Sequence, residues 1–108
     1  MTTFDKRKDA FENKFAHDAE LQFKAEARRN KMLGLWAAGL LGKTGAEADA
    51  YAKEVIAADF EKAGAEDVFR KIRRDFDAAG INQSDHQIRR TMDDMMQTAI
   101  AQVRESAT

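Results

Sequence analysis

Three glycines, Gly42, Gly64 and Gly80, divide this sequence into four segments in which apolar residues recur at helical spacing. The chain has no proline, the residue that interrupts a helix most strongly, and clusters of Val, Ile and Thr are almost absent. A glycine after each of the first three segments suits the left-handed backbone that follows a helix. The sequence therefore predicts an all-α protein, and its short connections favour antiparallel neighbours in a four-helix bundle.

Two capping patterns help to place the helices. Thr44 with Glu47, and Ser84 with Gln87, have the spacing of a capping box, in which each residue's side chain bonds the backbone N–H of the other. The four predicted helices span Asp18–Leu41, Ala46–Ala63, Glu66–Ala79 and Asp85–Arg104.

Each predicted helix carries an apolar stripe. The stripes are Phe23, Ala27, Leu33, Trp36, Leu40 and Leu41; Ala48, Tyr51, Ala52, Val55, Ile56 and Phe60; Val68, Phe69, Ile72 and Phe76; and Ile88, Met92, Met95, Met96, Ala99 and Val103. The methionine-rich fourth stripe would also suit a groove for a partner, but we favour core packing because methionine fills irregular gaps between helices.

The residues before Asp18 follow a different pattern. Phe4, Phe11 and Phe15 recur at i, i+7 and i+11 between charged residues, which places them on one narrow helical face. So short a helix is marginal alone, so the stripe either folds back on the bundle or docks on another protein. We expect residues 1–17 to be a mobile or partly helical N-terminal segment and residues 18–108 to be the bundle domain.

Composition excludes several classes of function. With 108 residues, a net charge of −1 and no cysteine, the chain predicts one domain without disulfides or thiolate chemistry. No apolar stretch approaches the ~20 residues that span a bilayer, so we expect a cytoplasmic monomer without membrane insertion. Two histidines, His17 and His86, do not indicate a metal site, although His17 has the chemistry of a pH switch. We expect no catalytic residue, no cofactor and no enzyme activity.

The tripeptide Gly42-Lys43-Thr44 matches the end of a phosphate-binding loop. The full motif needs a preceding strand and a glycine where Ala37 stands, and residues 33–41 are predicted to be helical instead. A helix stop followed by an N-cap is the favoured interpretation. A weak phosphate site, and with it weak ATP or ADP binding at Lys43 and Thr44, stays open because a helix N-terminus attracts anions.

A basic cluster lies in the third and fourth segments: Arg70, Lys71, Arg73, Arg74, Arg89 and Arg90. These two segments have the order of a helix-turn-helix, but several aspartates interleave with the basic residues and would repel phosphates. We favour a solvated face held by salt bridges, and no nucleic-acid partner. A small nucleic-acid-binding or nucleotide-sensing module is the alternative function.

A long run of residues resembles a known family. Phe11–Leu21 and Phe23–Lys31, together with Leu35–Ala38 and Leu40–Gly45, are similar to the zeta subunit of the alphaproteobacterial F-type ATP synthase. The resemblance is dense from residue 1 to about residue 60 and thinner afterwards. Lys8 departs from the family pattern, which has an acidic residue there.

The resemblance implies an inhibitor of ATP hydrolysis that acts by binding. Zeta subunits bind the catalytic head of the synthase (alpha, beta and gamma subunits) and insert their N-terminal segment at a catalytic alpha/beta interface. By this resemblance Phe4, Phe11 and Phe15 are the apolar anchors, and Arg7 and Lys14 are candidate ionic contacts. The protein would then be peripheral to the inner membrane through the synthase.

Overall fold

The computed structural model describes residues 19–59 and 64–107, and this part of the chain contains four helices and no strand. The helices are α1 (Ala19–Leu40), α2 (Gly45–Ala58), α3 (Ala65–Ala79) and α4 (Asp85–Ala107). The all-α prediction is confirmed. The second helix is shorter than predicted: it ends at Ala58 with Asp59 as its cap, and residues 60–63 lie outside the described part.

The long helix α1 organises the fold. It contacts α2 along one side and α4 along another, and α3 closes the arrangement by contacting both α2 and α4. Ala25 near the start of α1 packs with Val103 near the end of α4, whereas Leu33 shares a cluster with Ile88 and Met92. These pairings make α1 and α4 antiparallel, as the short connections predicted.

The core consists of two clusters of buried side chains. The larger cluster joins all four helices, and the Trp36 and Phe76 rings meet edge to face in it with centroids 5.7 Å apart. The smaller cluster lies between α1 and α4 around Ala25, Ala99 and Val103. The buried residues of the larger cluster are Leu33, Ala37, Ala38, Tyr51, Val55, Val68, Phe69, Ile72, Phe76, Ile88 and Met92.

Two exposed side chains correct the predicted stripe of α1. Phe23 is 54% exposed and Leu40 is 37% exposed, so neither is a core residue. Polar Asn30, which lies seven residues after Phe23 and three before Leu33, is buried in their place. The periodicity identified the correct helix face but could not show where along the helix that face is covered.

Glycines end α1 and α3 as predicted. After α1, Gly42 has φ of +78°. The N–H of Lys43 reaches the carbonyl of Ala38 (2.9 Å), and the N–H of Gly42 reaches that of Gly39 (3.2 Å). Crossed bonds of this kind satisfy the last carbonyls of the helix. Gly80 ends α3 with the same pattern and φ of +71°.

Only one predicted capping box forms. At the start of α4 the N–H of Ser84 donates to Gln87 Oε1 (2.8 Å), and the N–H of Gln87 donates to Ser84 Oγ (3.1 Å). Thr44 is the N-cap of α2 but makes no capping bond with its side chain, so the prediction for Thr44 and Glu47 was wrong. The N–H of Glu47 bonds the backbone carbonyl of Thr44 instead (3.1 Å).

Candidate functional site

The residues predicted to form the inhibitory segment lie outside the described residues. These are Phe4, Arg7, Phe11, Lys14 and Phe15, together with Lys8 and His17. The described chain begins at Ala19, so the part of the molecule adjoining that segment is the first half of α1 and its neighbours.

Two cavities flank Phe23 in the first half of α1. One, of about 440 Å³, opens between α1 and α4 and is mainly apolar, with Leu21 and Val103 among its walls. The other, of about 110 Å³, lies between α1 and α2, with Asn30 and Ile56 among its walls. Phe23 and Ala27 line both cavities. We call Phe23, Ala27, Asn30 and Ile56 the entry face, because it adjoins the end where the described chain begins.

One member of the entry face, Asn30, is a buried polar residue. Asn30 is 1% exposed, and its Oδ1 accepts a hydrogen bond from Arg29 Nε at 3.0 Å. Arg29, 7% exposed, lies 3.6 Å from the carboxylate of Asp59 at the end of α2. The Nδ2 of Asn30 has no hydrogen-bond partner among the described residues. A buried unpaired donor of this kind costs about 1–3 kcal/mol of stability.

The predicted phosphate site sits at the junction of α1 and α2. Lys43 is partly buried, with its Nζ 6.0 Å from the centre of the Tyr51 ring, and Thr44 is exposed in extended backbone. Since the Thr44 side chain forms no cap, it does not satisfy the N–H groups of the first turn of α2. Glu47 in that turn places a negative charge near any bound anion.

A polar cluster between α2 and α3 was not predicted from the sequence. Tyr51 donates a hydrogen bond to Asp75 Oδ2 (2.7 Å), and Lys71 Nζ lies 3.1 Å from the same oxygen and 5.0 Å from the Tyr51 ring centre. Burial, and then the bond to Asp75, raises the pKa of Tyr51 far above its ordinary value. Burial acts to raise the pKa of Asp75, but the hydrogen bonds from Tyr51 and Lys71 outweigh it and lower that pKa. The cluster fixes α3 against α2.

Arg70, Lys71, Arg73 and Arg89 of the basic cluster form salt bridges, as predicted for this face. Arg73 bridges Asp77 at 2.7 Å and Asp85 at 3.0 Å, which ties α3 to α4. Arg89 pairs with Glu66 at 2.8 Å and lies 3.9 Å above the Phe69 ring centre. Two more pairs lie within α3, Arg70 with Asp67 and Lys71 with Asp75.

Within residues 19–59 and 64–107 no helix is long and apolar enough to cross a membrane. The same part of the chain has no group of three His, Cys, Asp or Glu side chains placed to hold a metal ion.

Comparisons with known proteins identify the family. No curated protein matches the chain. Four chains of solved structures match, one of them described as the solution NMR structure of the protein. It is 50% identical, with a TM-score of 0.69, and the alignment covers 80% of this chain and 98% of that one. A family profile described as ATPase inhibitor subunit zeta matches residues 1–102. The resemblance inferred from the sequence is thereby confirmed, and the chain belongs to the ATPase inhibitor subunit zeta family.

Proposed function

We propose that this protein is a non-catalytic inhibitor of ATP hydrolysis by the F-type ATP synthase. In this proposal residues 1–17 insert at a catalytic alpha/beta interface of the synthase head, near the gamma subunit. Residues 18–108 form the domain that carries the segment, and the protein associates with the inner membrane through the synthase. Phe4, Phe11 and Phe15 are the apolar anchors of the segment, and Arg7 and Lys14 make its ionic contacts.

The observation that carries the proposal is the extent of the family match. It spans residues 1–102 and so includes the N-terminal segment as well as the four helices. The described helices supply the buried side chains of two core clusters. A stripe of aromatic residues such as the one in residues 1–17 has the character of a helix that binds in a groove, where spaced apolar anchors supply most of the affinity.

Replacing two anchors tests the segment. We expect Phe11→Ala with Phe15→Ala to weaken inhibition strongly, because each aromatic anchor contributes on the order of 2–4 kcal/mol at an interface. Steady-state ATP hydrolysis by the purified synthase head is measured against the concentration of each variant. Circular dichroism of the variant alone shows whether the four helices persist.

Lys8→Glu is the matched control within the same segment. It restores the acidic residue of the family pattern, and an exposed charge contributes little to binding, so the half-inhibitory concentration should change less than in the aromatic variant. Inhibition that survives the loss of both phenylalanines would place the inhibitory contacts elsewhere in the chain.

Weak ATP or ADP binding at Lys43 and Thr44 is a second candidate, favoured by the uncapped first turn of α2. Titration of the labelled protein with ATP should then shift the amide signals of residues 44–47, and Lys43→Ala should weaken that response. We expect no ATP hydrolysis by the isolated protein, since it lacks an intact phosphate loop. Turnover that disappears in Lys43→Ala would contradict this expectation.

A further inference from the structure

Two arginines of the basic cluster, Arg74 and Arg90, do not help to hold the helices together. Both are exposed, and neither forms a hydrogen bond or an ion pair with another side chain in the described part of the chain. Arg74 attracts the Asp75 carboxylate through space, but the Oδ2 of that carboxylate is already bonded by Tyr51 and Lys71. The two arginines differ in their surroundings, because Arg74 lines a groove and Arg90 does not line it.

The groove lies between α2 and α3 and has a volume of about 520 Å³. Its α2 side includes the small side chains of Ala57 and Ala58, and its α3 side carries Arg70 and Arg74. These arginines are four residues apart on one helix, which places their Cβ atoms about 5–6 Å from each other on the same face. The groove therefore has two guanidinium groups along one wall and room for a ligand beside the alanines of the other.

Most of the N–H groups on these two arginines are unused. The Arg70 side chain is 69% exposed and makes one bond, from Nη1 to Asp67 Oδ1 at 3.4 Å. Since a guanidinium has five N–H groups, most of those on Arg70 and all of those on Arg74 remain available. The third cation of the groove, Lys71, is not available in this way, because its Nζ lies 3.1 Å from Asp75 Oδ2 and its side chain is only 15% exposed.

The chemistry of the groove favours carboxylates over phosphates. Guanidinium groups bind carboxylates through paired N–H bonds. Two arginines are few for an anionic membrane, whose recognition takes clusters of about 4–8 Lys or Arg, or for a nucleic acid, whose affinity comes mainly from many phosphate contacts. Glu54 and Asp67 also line the groove and would repel a continuous row of phosphates. Separate carboxylates on a peptide can meet the arginines and avoid these two residues.

We propose that this groove binds an acidic segment of a partner protein, with the carboxylates of two residues paired to Arg70 and Arg74. In an extended chain, alternate residues lie on the same side about 6–7 Å apart, which is close to the spacing of the two arginines. The segment therefore has Asp or Glu at alternate positions. This site lies among the four helices and is separate from the N-terminal contacts of the proposed function, so the two proposals fail independently.

A peptide of alternating glutamate and serine is the probe for this site. It is added to the isotope-labelled full-length protein at low ionic strength, where exposed charges are least screened. It should shift the amide signals of residues 57–58 and 70–74, which line the groove or lie within its α3 wall. The same peptide with glutamine in place of glutamate should cause no shift. Equal binding of the two peptides would overturn the proposal, because the groove would then not recognise carboxylates.

Arg74→Gln and Arg90→Gln are a matched pair of variants. Each removes one exposed positive charge that has no ion pair among the described residues, but only Arg74 lines the groove. Arg74→Gln should raise the Kd of the glutamate peptide about fivefold or more, because a guanidinium–carboxylate pair is lost, whereas Arg90→Gln should change it less than about twofold. Circular dichroism confirms that both variants are folded.

Two results would contradict this assignment. Equal effects of the two variants would show a general attraction to positive charge rather than a site in the groove. Displacement of the peptide by duplex DNA or by phosphatidylglycerol vesicles, at a lower concentration of negative charge than the peptide itself requires, would show that the groove prefers phosphates.

Discussion

At Gly34 the backbone of α1 comes so close to α2 that an added Cβ would lie 2.6 Å from the Cα of Ala52. Helix propensity alone would favour alanine over glycine by about 1 kcal/mol. The contact is with backbone, which cannot rotate away, and forcing core helices apart costs typically 1–3 kcal/mol. We therefore expect Gly34→Ala to lower the free energy of unfolding by about 1–2 kcal/mol, measured by urea denaturation.

Gly39 supplies the control for this prediction on the same helix. Apart from its two chain neighbours and the nearby backbone of its own helix, no described atom would lie within 4 Å of a Cβ at Gly39. The φ of Gly39 is not positive. Gly39→Ala should leave the free energy of unfolding unchanged or raise it by up to about 1 kcal/mol. An equal loss in both variants would show that the two helices do not meet as closely as this geometry requires.

The hydrogen bonds of Asp75 predict a pH dependence of stability. Its pKa is lowered from the ordinary value of 3.8, so the native state gains stability above that value and loses it as the pH falls through the lower, folded pKa. Tyr51 acts in the opposite range: its raised pKa gives stability that is complete below about pH 10 and is lost as the pH rises further. Unfolding by urea across the acid range should show a shallower loss of stability in Asp75→Asn than in the unmodified protein. Parallel curves would exclude Asp75 as the group responsible.

At the scale of a single helix, two caps with the same sequence spacing differ in structure. Ser84 forms both capping bonds at the start of α4, whereas Thr44 forms none with its side chain at α2. Removing an N-cap hydroxyl that bonds the backbone costs typically about 1 kcal/mol. Ser84→Ala should lower the free energy of unfolding by that amount and Thr44→Ala by clearly less, as measured in urea. Equal losses would mean that the Thr44 side chain does cap α2 in solution.

The elements were predictable because their signals are local. Apolar periodicity and glycine stops identified four helices, and their bounds agree within about three residues except at the end of α2. The contact of Gly34 with Ala52, the bond of Tyr51 to Asp75 and the burial of Asn30 depend on residues distant in the sequence. No spacing rule contains that information. For Asn30 one local signal existed, a polar residue on the apolar face of α1.

At the scale of the whole molecule, the proposed function assigns inhibition to residues 1–17 and binding support to the domain of four helices. Both core clusters join side chains of the described helices. A domain that binds beside an inserted segment raises the effective concentration of that segment at its site. Segment and domain together would therefore bind more tightly than either alone.

Deleting Met1–Phe15 separates these two parts. The described helices carry the two core clusters, so we expect the free energy of unfolding to change by no more than about 0.5 kcal/mol and the helical circular dichroism per residue to persist. Inhibition of ATP hydrolysis by the synthase head should disappear, because the deletion removes all three aromatic anchors. The shortened chain should still occupy the synthase head and compete with the full-length protein, since the proposed function has the four-helix domain dock beside the segment. Unfolding of the shortened chain would instead make Phe4, Phe11 and Phe15 part of the core, and inhibition that persists would move the inhibitory contacts into the four helices.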